Sequence, residues 1–321
     1  MKYKLLILAT LIATCGGSQD LNREKRIVSL STTHTQVIQV LGAERLLVGV
    51  DSFSKTEISV EKIDAFTVKA EDLLKLNPDL VIVAFDFNGI IEGLESLEIN
   101  YVLLPPARNF QEVYSQIKEI GNLINKEDES SDLVSSMKSD VEKIIDNFSQ
   151  DNIKVFHEIG FTYGIYTINE NSFIGEIYNL LGIKNVANQK EGPFGSGYPE
   201  FSEEEVIISN PNLIVVGHSD YLNKDLSTRN GWEEITAVQS GSVYFLDENL
   251  ANNWGVSTVD LINTLSEIAK FQKAPPLIYL NEYSQEIQNS LALQNNLLYL
   301  VLFILIGLFV YSRTRQQKET V

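Results

Sequence analysis

The chain holds three imidazoles, His34, His157 and His218. His34 lies in the polar run Ser31-Thr-Thr-His-Thr35, and His157 ends a short apolar segment. No two are spaced as His-x-His, and a zinc or manganese site needs several His and acidic ligands converging, so no resident metal is expected. A lone loop imidazole can still ligate a metal carried by a ligand, and His34 is the one placed for it. A satisfied loop histidine is the default for each of the three. Nucleophilic chemistry finds no Gly-x-Ser-x-Gly, no His-Glu-x-x-His and no P-loop, and the single cysteine, Cys15, sits in the N-terminal leader. The sequence reads as a non-enzyme without a cofactor.

Aromatic residues form the other set. Phe53, Phe85, Phe87, Phe161, Tyr163, Tyr198 and Trp254 all fall in loops, most of them just past an apolar run, and their flat faces suit a macrocyclic ligand. Any one of them alone reads as core; as a set at loop positions they read as a lining. Trp232 is assigned to packing.

The elements that must position these groups alternate. Arg26 to Leu30 is an apolar strand, followed by helical spacing of Val37, Ile38, Val40 and Leu41 ended by Gly42. Leu46 to Val50, Leu80 to Ala84 and Tyr101 to Leu104 are further strands, with a short helix from Glu71 to Leu76. From Phe110 to about Phe148 strand signals vanish, and Leu133, Met137, Val141, Ile144 and Ile145 mark a long amphipathic helix. Strands resume at Lys154 to Phe156, Leu213 to Val216 and Val243 to Leu246, with helices at Phe173 to Leu181 and Thr258 to Gln272. This predicts an α/β fold of two Rossmann-like lobes with mainly parallel sheets joined by one long rigid helix. An internal echo supports it: Glu71-Asp-Leu-Leu-Lys-Leu-Asn-Pro-Asp-Leu-Val-Ile-Val83 recurs 133 positions later as Glu204-Glu-Val-Ile-Ile-Ser-Asn-Pro-Asn-Leu-Ile-Val-Val216. An acid that opens a helix is favoured by the helix dipole, so capping alone accounts for both glutamates at this point.

Both termini carry membrane signals. Lys2 and Lys4 precede the apolar run Leu5 to Ala13, the pattern of a secretory signal over 1–15. Ile12-Ala-Thr-Cys15 resembles a lipobox, with Thr14 where a smaller residue is usual, so plain cleavage and lipidation at Cys15 both stay open. The run from Leu291 to about 312 is long enough for a transmembrane helix, and Arg313, Arg315 and Lys318 place the tail 313–321 in the cytoplasm. The expected layout is therefore lobe 26–126, bridging helix 127–150, lobe 151–272, linker 273–290 and span 291–312, anchored at the outer face of the cytoplasmic membrane. Without its ends the chain has 20 bases against 42 acids. Nucleic acid and polyanionic partners are disfavoured by that field.

The ordered set Ile27-Val-Ser-Leu-Ser31, Leu41-Gly-Ala-Glu-Arg-Leu-Leu-Val-Gly-Val-Asp51, Leu76-Asn-Pro-Asp-Leu-Val81, Ser172-Phe-Ile-Gly-Glu176 with Asn185-Val186, and Trp232 with Ala237-Val-Gln-Ser-Gly-Ser-Val243 resembles the substrate-binding proteins of ABC importers for cobalamin and ferric siderophores. The resemblance implies a ligand in the cleft between lobes, and permease docking through one surface glutamate per lobe, at positions matching Glu71 and Glu204. Cobalamin-binding relatives line the cleft with aromatics at positions matching Phe53, near Phe85, and Tyr198. Where many relatives carry Gly-Pro-Arg before the last helix, this chain has Gly255-Val256-Ser257. Loss of that arginine tilts the expected ligand from an anionic iron chelate toward a near-neutral corrinoid. The expected partners are thus an ABC permease, a small corrinoid or iron-chelate ligand and a membrane. A ferric-siderophore or haem receptor is the alternative within the family. A membrane-anchored sensor, or a chelatase-like enzyme using His34 and His157, is the alternative outside it.

Overall fold

The computed structural model describes residues 23–161, 164–192, 197–218, 226–247, 250–251 and 253–270. The described chain divides into two compact units. One holds 23–145 together with 253–262, and the other holds 146–251 together with 263–270.

The first unit is built on a five-stranded sheet of β1 (Ile27–Ser29), β2 (Leu47–Asp51), β3 (Glu61–Ile63), β4 (Leu80–Val83) and β5 (Tyr101–Leu103). Their order is β3-β2-β1-β4-β5 and every pairing is parallel. β4 is buried along its whole length, as expected of a strand covered on both faces. Its cover includes α1 (Thr32–Val40), α2 (Ala70–Leu73), α3 (Ile90–Ser96) and α4 (Phe110–Leu123). Val28, Val81, Val83, Leu73 and Leu94 form one core beneath α2 and α3.

α4 hands over to α5 (Glu127–Asp146) through a tight elbow. Asn125 turns left-handed at φ 55°, and the Lys126 N–H donates to the Gly121 carbonyl at 2.7 Å. A Cβ at Gly121 would lie 2.3 Å from Ser130 Oγ, so only glycine lets the first turn of α5 seat against α4. α5 then runs unbroken for 20 residues and ends where the second unit begins.

The second unit carries β6 (Lys154–Gly160), β7 (Ile165–Thr167), β8 (Lys184–Asn185), β9 (Glu200–Phe201), β10 (Leu213–Val216) and β11 (Val243–Phe245). The path is β11-β10-β6-β7-β9, with β8 beside β6. β10 lies parallel to β6 and β11, whereas β7 pairs antiparallel with both β6 and β9. The helices are α6 (Phe173–Leu180), α7 (Glu203–Ser209), α8 (Thr236–Ser240) and α9 (Thr258–Lys270), the last starting in the first unit. Trp232, wholly buried, packs edge-on to Phe156 in the core, as assigned.

The echo in sequence is an echo in conformation. A 3-10 turn, Leu74–Leu76, continues α2 and stops at Asn77, while α7 stops at Asn210. Both asparagines are left-handed, each precedes a proline, and each leads into a buried central strand.

The membrane expectation is corrected. Among the described residues no helix is long and apolar enough to cross a membrane. α5 has the length, about 30 Å at about 1.5 Å per residue, but it opens Glu-Asp-Glu and buries only one stripe, Ser130, Val134, Met137 and Val141. Among the described residues the fold therefore stands as α/β without a spanning helix, and the anchoring at the outer membrane face that rested on that helix is withdrawn. The segment 291–312, the leader 1–15 with Cys15, the linker 273–290 and the tail 313–321 lie outside the described residues.

Candidate functional site

In an open parallel sheet, ligands bind beyond the carboxyl ends of the strands where the strand order reverses. In the first unit that point lies between β1 and β4. β1 leads through Ser31 into α1, which carries His34, and β4 leads through Ala84 to Phe85.

Phe85 belongs to a row of rings. It stacks on Phe87 at 5.1 Å, Phe87 leans on Phe66 at 4.8 Å, and on its other side Phe85 meets Trp254 edge-on at 6.2 Å. Phe66 is 53% and Phe85 45% exposed, so the row shows apolar faces to solvent. Local hydrogen bonds explain how the chain presents it. Asp64 accepts from the Phe66 N–H at 2.9 Å and the Thr67 hydroxyl at 2.8 Å, and the left-handed Asn88 donates its amide to the Phe66 carbonyl. Trp254 arrives from 253–262, where Thr33 Oγ1 donates to Asn253 Oδ1 at 3.0 Å. Gly255 permits that approach, since a Cβ there would lie 2.7 Å from Thr33 Cγ2.

His34 completes the row from within. Its ring lies 6.3 Å from Trp254, edge-on, and it is fully buried with neither nitrogen in hydrogen-bonding geometry. Burial lowers its pKa to about 4, offset in part by Gln116, so the imidazole is neutral at pH 7. Phe53 is 67% exposed and held by its N–H to Asp51 Oδ1 at 3.0 Å, but it makes no ring contact with the row among the described residues.

In the second unit the carboxyl ends of β6 and β10 lie side by side. Glu158, on β6, is wholly buried, and both its oxygens accept from Arg229. Arg229 reaches it with Nη1 at 2.5 Å and Nη2 at 2.9 Å, and His218 Nε2 lies 2.9 Å from Oε1. Burial pushes the Glu158 carboxyl up, but the hydrogen bonds from Arg229 and His218 outweigh it and hold the pKa below the ordinary value. The guanidinium carbon lies 4.0 Å from the ring centroid of Phe161 and 4.4 Å from that of Trp232. Tyr198 is 43% exposed and follows Gly197, whose bare Cα passes close to the Ser172 backbone. Tyr163 lies outside the described residues.

His157 is a core residue. Its Nδ1 lies 2.8 Å from the Tyr178 hydroxyl, and burial lowers its pKa to about 3. Among the described residues no group of three His, Cys, Asp or Glu side chains could hold a metal ion.

Glu71 and Glu204 are both exposed, each at the second position of its helix. Capping does not explain Glu204, because Ser202 and Glu205 form the capping box of α7 and Glu205 also binds Lys190. Asp72, not Glu71, pairs with Lys75.

Phe85 and Trp254 lie in loops as expected, Phe87 instead opens a 3-10 turn, Phe87–Gly89, and the structure brings the three rings into one row. Sequence reasoning missed Phe66, Glu158 and Arg229. Phe66 follows a strand too short to register, and the Glu158–Arg229 pair spans 71 residues; an acid inside the apolar run after Lys154 was the one available signal.

Comparison with known proteins gives four likenesses. A family profile described as periplasmic binding protein matches residues 27–250. An ABC transporter substrate-binding lipoprotein of Bacillus subtilis is 31% identical over 76% of this chain and 79% of its own length. A cobalamin-binding protein of Halobacterium salinarum is 25% identical over 71% of this chain and 64% of its own. Among solved structures, a periplasmic haem-binding protein of Vibrio cholerae superposes with a TM-score of 0.67 at 20% identity, covering 76% of this chain and 98% of that one, which is a likeness of fold.

Proposed function

The chain belongs to the periplasmic binding protein family, and on that premise we propose that it is the substrate-binding receptor of an ABC importer whose ligand is a cobalamin-like corrinoid. The observation that carries the ligand class is the row Phe66, Phe87, Phe85 and Trp254, half exposed at the reversal point of the first sheet. Flat apolar faces gain by desolvating a flat partner. No lysine or arginine takes part in the described ring contacts of the row, and Gly255-Val256-Ser257 lacks the arginine that an anionic chelate would engage. Titration of the purified chain with cyanocobalamin, haemin and a ferric siderophore tests this. Tightest binding to cyanocobalamin is expected, and no binding tighter than about 100 μM to it discards the corrinoid.

Haem is the second reading, and the observation favouring it is His34. A neutral imidazole beside the ring row is the form that ligates iron, although it must first come out of its burial and leave Gln116.

Glu71 and Glu204 are the docking residues for the permease in this reading, supported by their equivalent, exposed places in the repeat and, for Glu204, by the capping box falling to Ser202 and Glu205. Replacing both with Ala should leave ligand affinity intact and abolish uptake; unchanged uptake removes the role. Cys15 is the lipid attachment point in the same reading, as the name of the Bacillus relative suggests, and mass spectrometry of the mature chain decides it. The residues named bind and hold, and none is assigned a catalytic step.

A further inference from the structure

The ring row is assembled from turns that lie apart in the chain. Phe66 follows β3, an edge strand of three residues, whereas Phe85 and Phe87 follow the buried β4. Asp64 ties Phe66 to its own turn, through the Phe66 N–H and the Thr67 hydroxyl. Among the described hydrogen bonds one alone joins the turn 64–67 to the turn 84–89, and it runs from the Asn88 amide to the Phe66 carbonyl. Asn88 and Gly89 are left-handed in succession, at φ 53° and φ 69°, which carries the chain from β4 into α3. Glycine adopts a left-handed backbone as readily as a right-handed one, so the backbone by itself does not call for asparagine at 88. Its side chain has a separate task. Phe66 is 53% exposed and leans on Phe87 at 4.8 Å. A ring that exposed, on a turn after an edge strand, has freedom that a ligand would have to remove, and removing it on binding subtracts from affinity. The Asn88 hydrogen bond removes it beforehand.

We propose that Asn88 is a positioning residue: its amide clamps the Phe66 carbonyl beside the turn that follows β4, so the row meets a flat ligand already assembled. Asn88 acts through Phe66 and needs no contact with the ligand. This assignment rests on the receptor reading above, and it adds the residue that preorganises the face which that reading uses.

A double-mutant cycle on the purified chain, titrated with cyanocobalamin, tests it. Asn88→Gly keeps the left-handed backbone and deletes only the amide, so it should weaken binding by about fivefold. In a Phe66→Ala background the same change should cost less than about twofold, because the ring it positions is gone. An amide that merely supported the fold would weaken both backgrounds alike. Equal losses in the two backgrounds, or a folded Asn88→Gly within about twofold of wild type, overturn the assignment and leave the receptor reading standing. Should Asn88→Gly fail to fold, Asn88→Asp keeps the size of the side chain and cannot donate, and its cycle is read by the same criteria. If the wild type binds haemin but not cyanocobalamin, the corrinoid reading fails alone, and the cycle is run with haemin. If the wild type binds neither, the receptor reading falls and takes the assignment with it.

Discussion

Asn77 and Asn210, 133 residues apart, adopt the same left-handed conformation, φ 43° and ψ 59° against φ 42° and ψ 68°. Asn210 Oδ1 in addition accepts the Thr236 N–H at 2.8 Å, a side-chain hydrogen bond with no described counterpart at Asn77. A left-handed backbone costs an ordinary L-residue roughly 1–2 kcal/mol, so Asn77→Ala and Asn210→Ala should each lower the urea unfolding free energy by about that amount. Glycine separates the two sites. Asn77→Gly should change stability by less than about 0.5 kcal/mol, while Asn210→Gly should lose about 1 kcal/mol with its hydrogen bond.

The ring row predicts where affinity resides. Phe85→Ala and Phe66→Ala should each weaken corrinoid binding by about tenfold while barely moving the thermal midpoint, because both rings are half exposed. Equal affinity in Phe66→Ala would confine the lining to the residues beyond it.

Only two tryptophans are present, and they report on different places. Trp232 is sealed in the core and Trp254 ends the ring row. Bound corrinoid should therefore quench the emission of Trp254, and Trp254→Phe should abolish most of the quenching. Quenching that survives in Trp254→Phe would place the ligand elsewhere.

Burial sets the acid limb of stability. His34 and His157 have pKa values of about 4 and about 3, below the ordinary 6.5. The unfolded chain takes up their protons before the native one does, so stability falls as pH drops from 6.5 toward those values. Glu158 acts lower, its stabilisation being present above the ordinary carboxylate value and lost as pH falls through the depressed one. His34→Gln should remove about 2 kcal/mol of the loss between pH 7 and pH 5, measured by urea unfolding at the two pH values. An unchanged pH slope would mean His34 titrates normally.

Gly197 holds the approach to Tyr198. A Cβ there would lie 2.6 Å from the Ser172 backbone nitrogen, at the N-cap of α6. Gly197→Ala should lower stability by about 2 kcal/mol, the usual cost of an overpacked contact, and weaken ligand binding through displacement of Tyr198. Thermal melting and titration check the two effects separately.

Long apolar runs and punctuation were legible in the sequence. β4 and β10 are continuous buried strands after Asn-Pro, and α5 shows its stripe at helical spacing, so their positions could be read directly. β3 buries only Ile63, and β8 and β9 have two residues each, so no periodicity could reveal them. The antiparallel β7 escaped for the same reason. Trp254 was legible as a loop aromatic, but its place beside Phe85 depends on the Thr33–Asn253 hydrogen bond, which joins residues 220 apart.

The elbow at Gly121 has a consequence for how this chain can change. The heading of α5 is decided in its first turn, by Ser130 seated against a backbone that bears no side chain. Residues gained or lost farther along the rod would turn its far end by about 100° each, at 3.6 residues per turn, without disturbing its departure. Substitution at 121 would do the reverse, swinging the whole rod while preserving its length and phase.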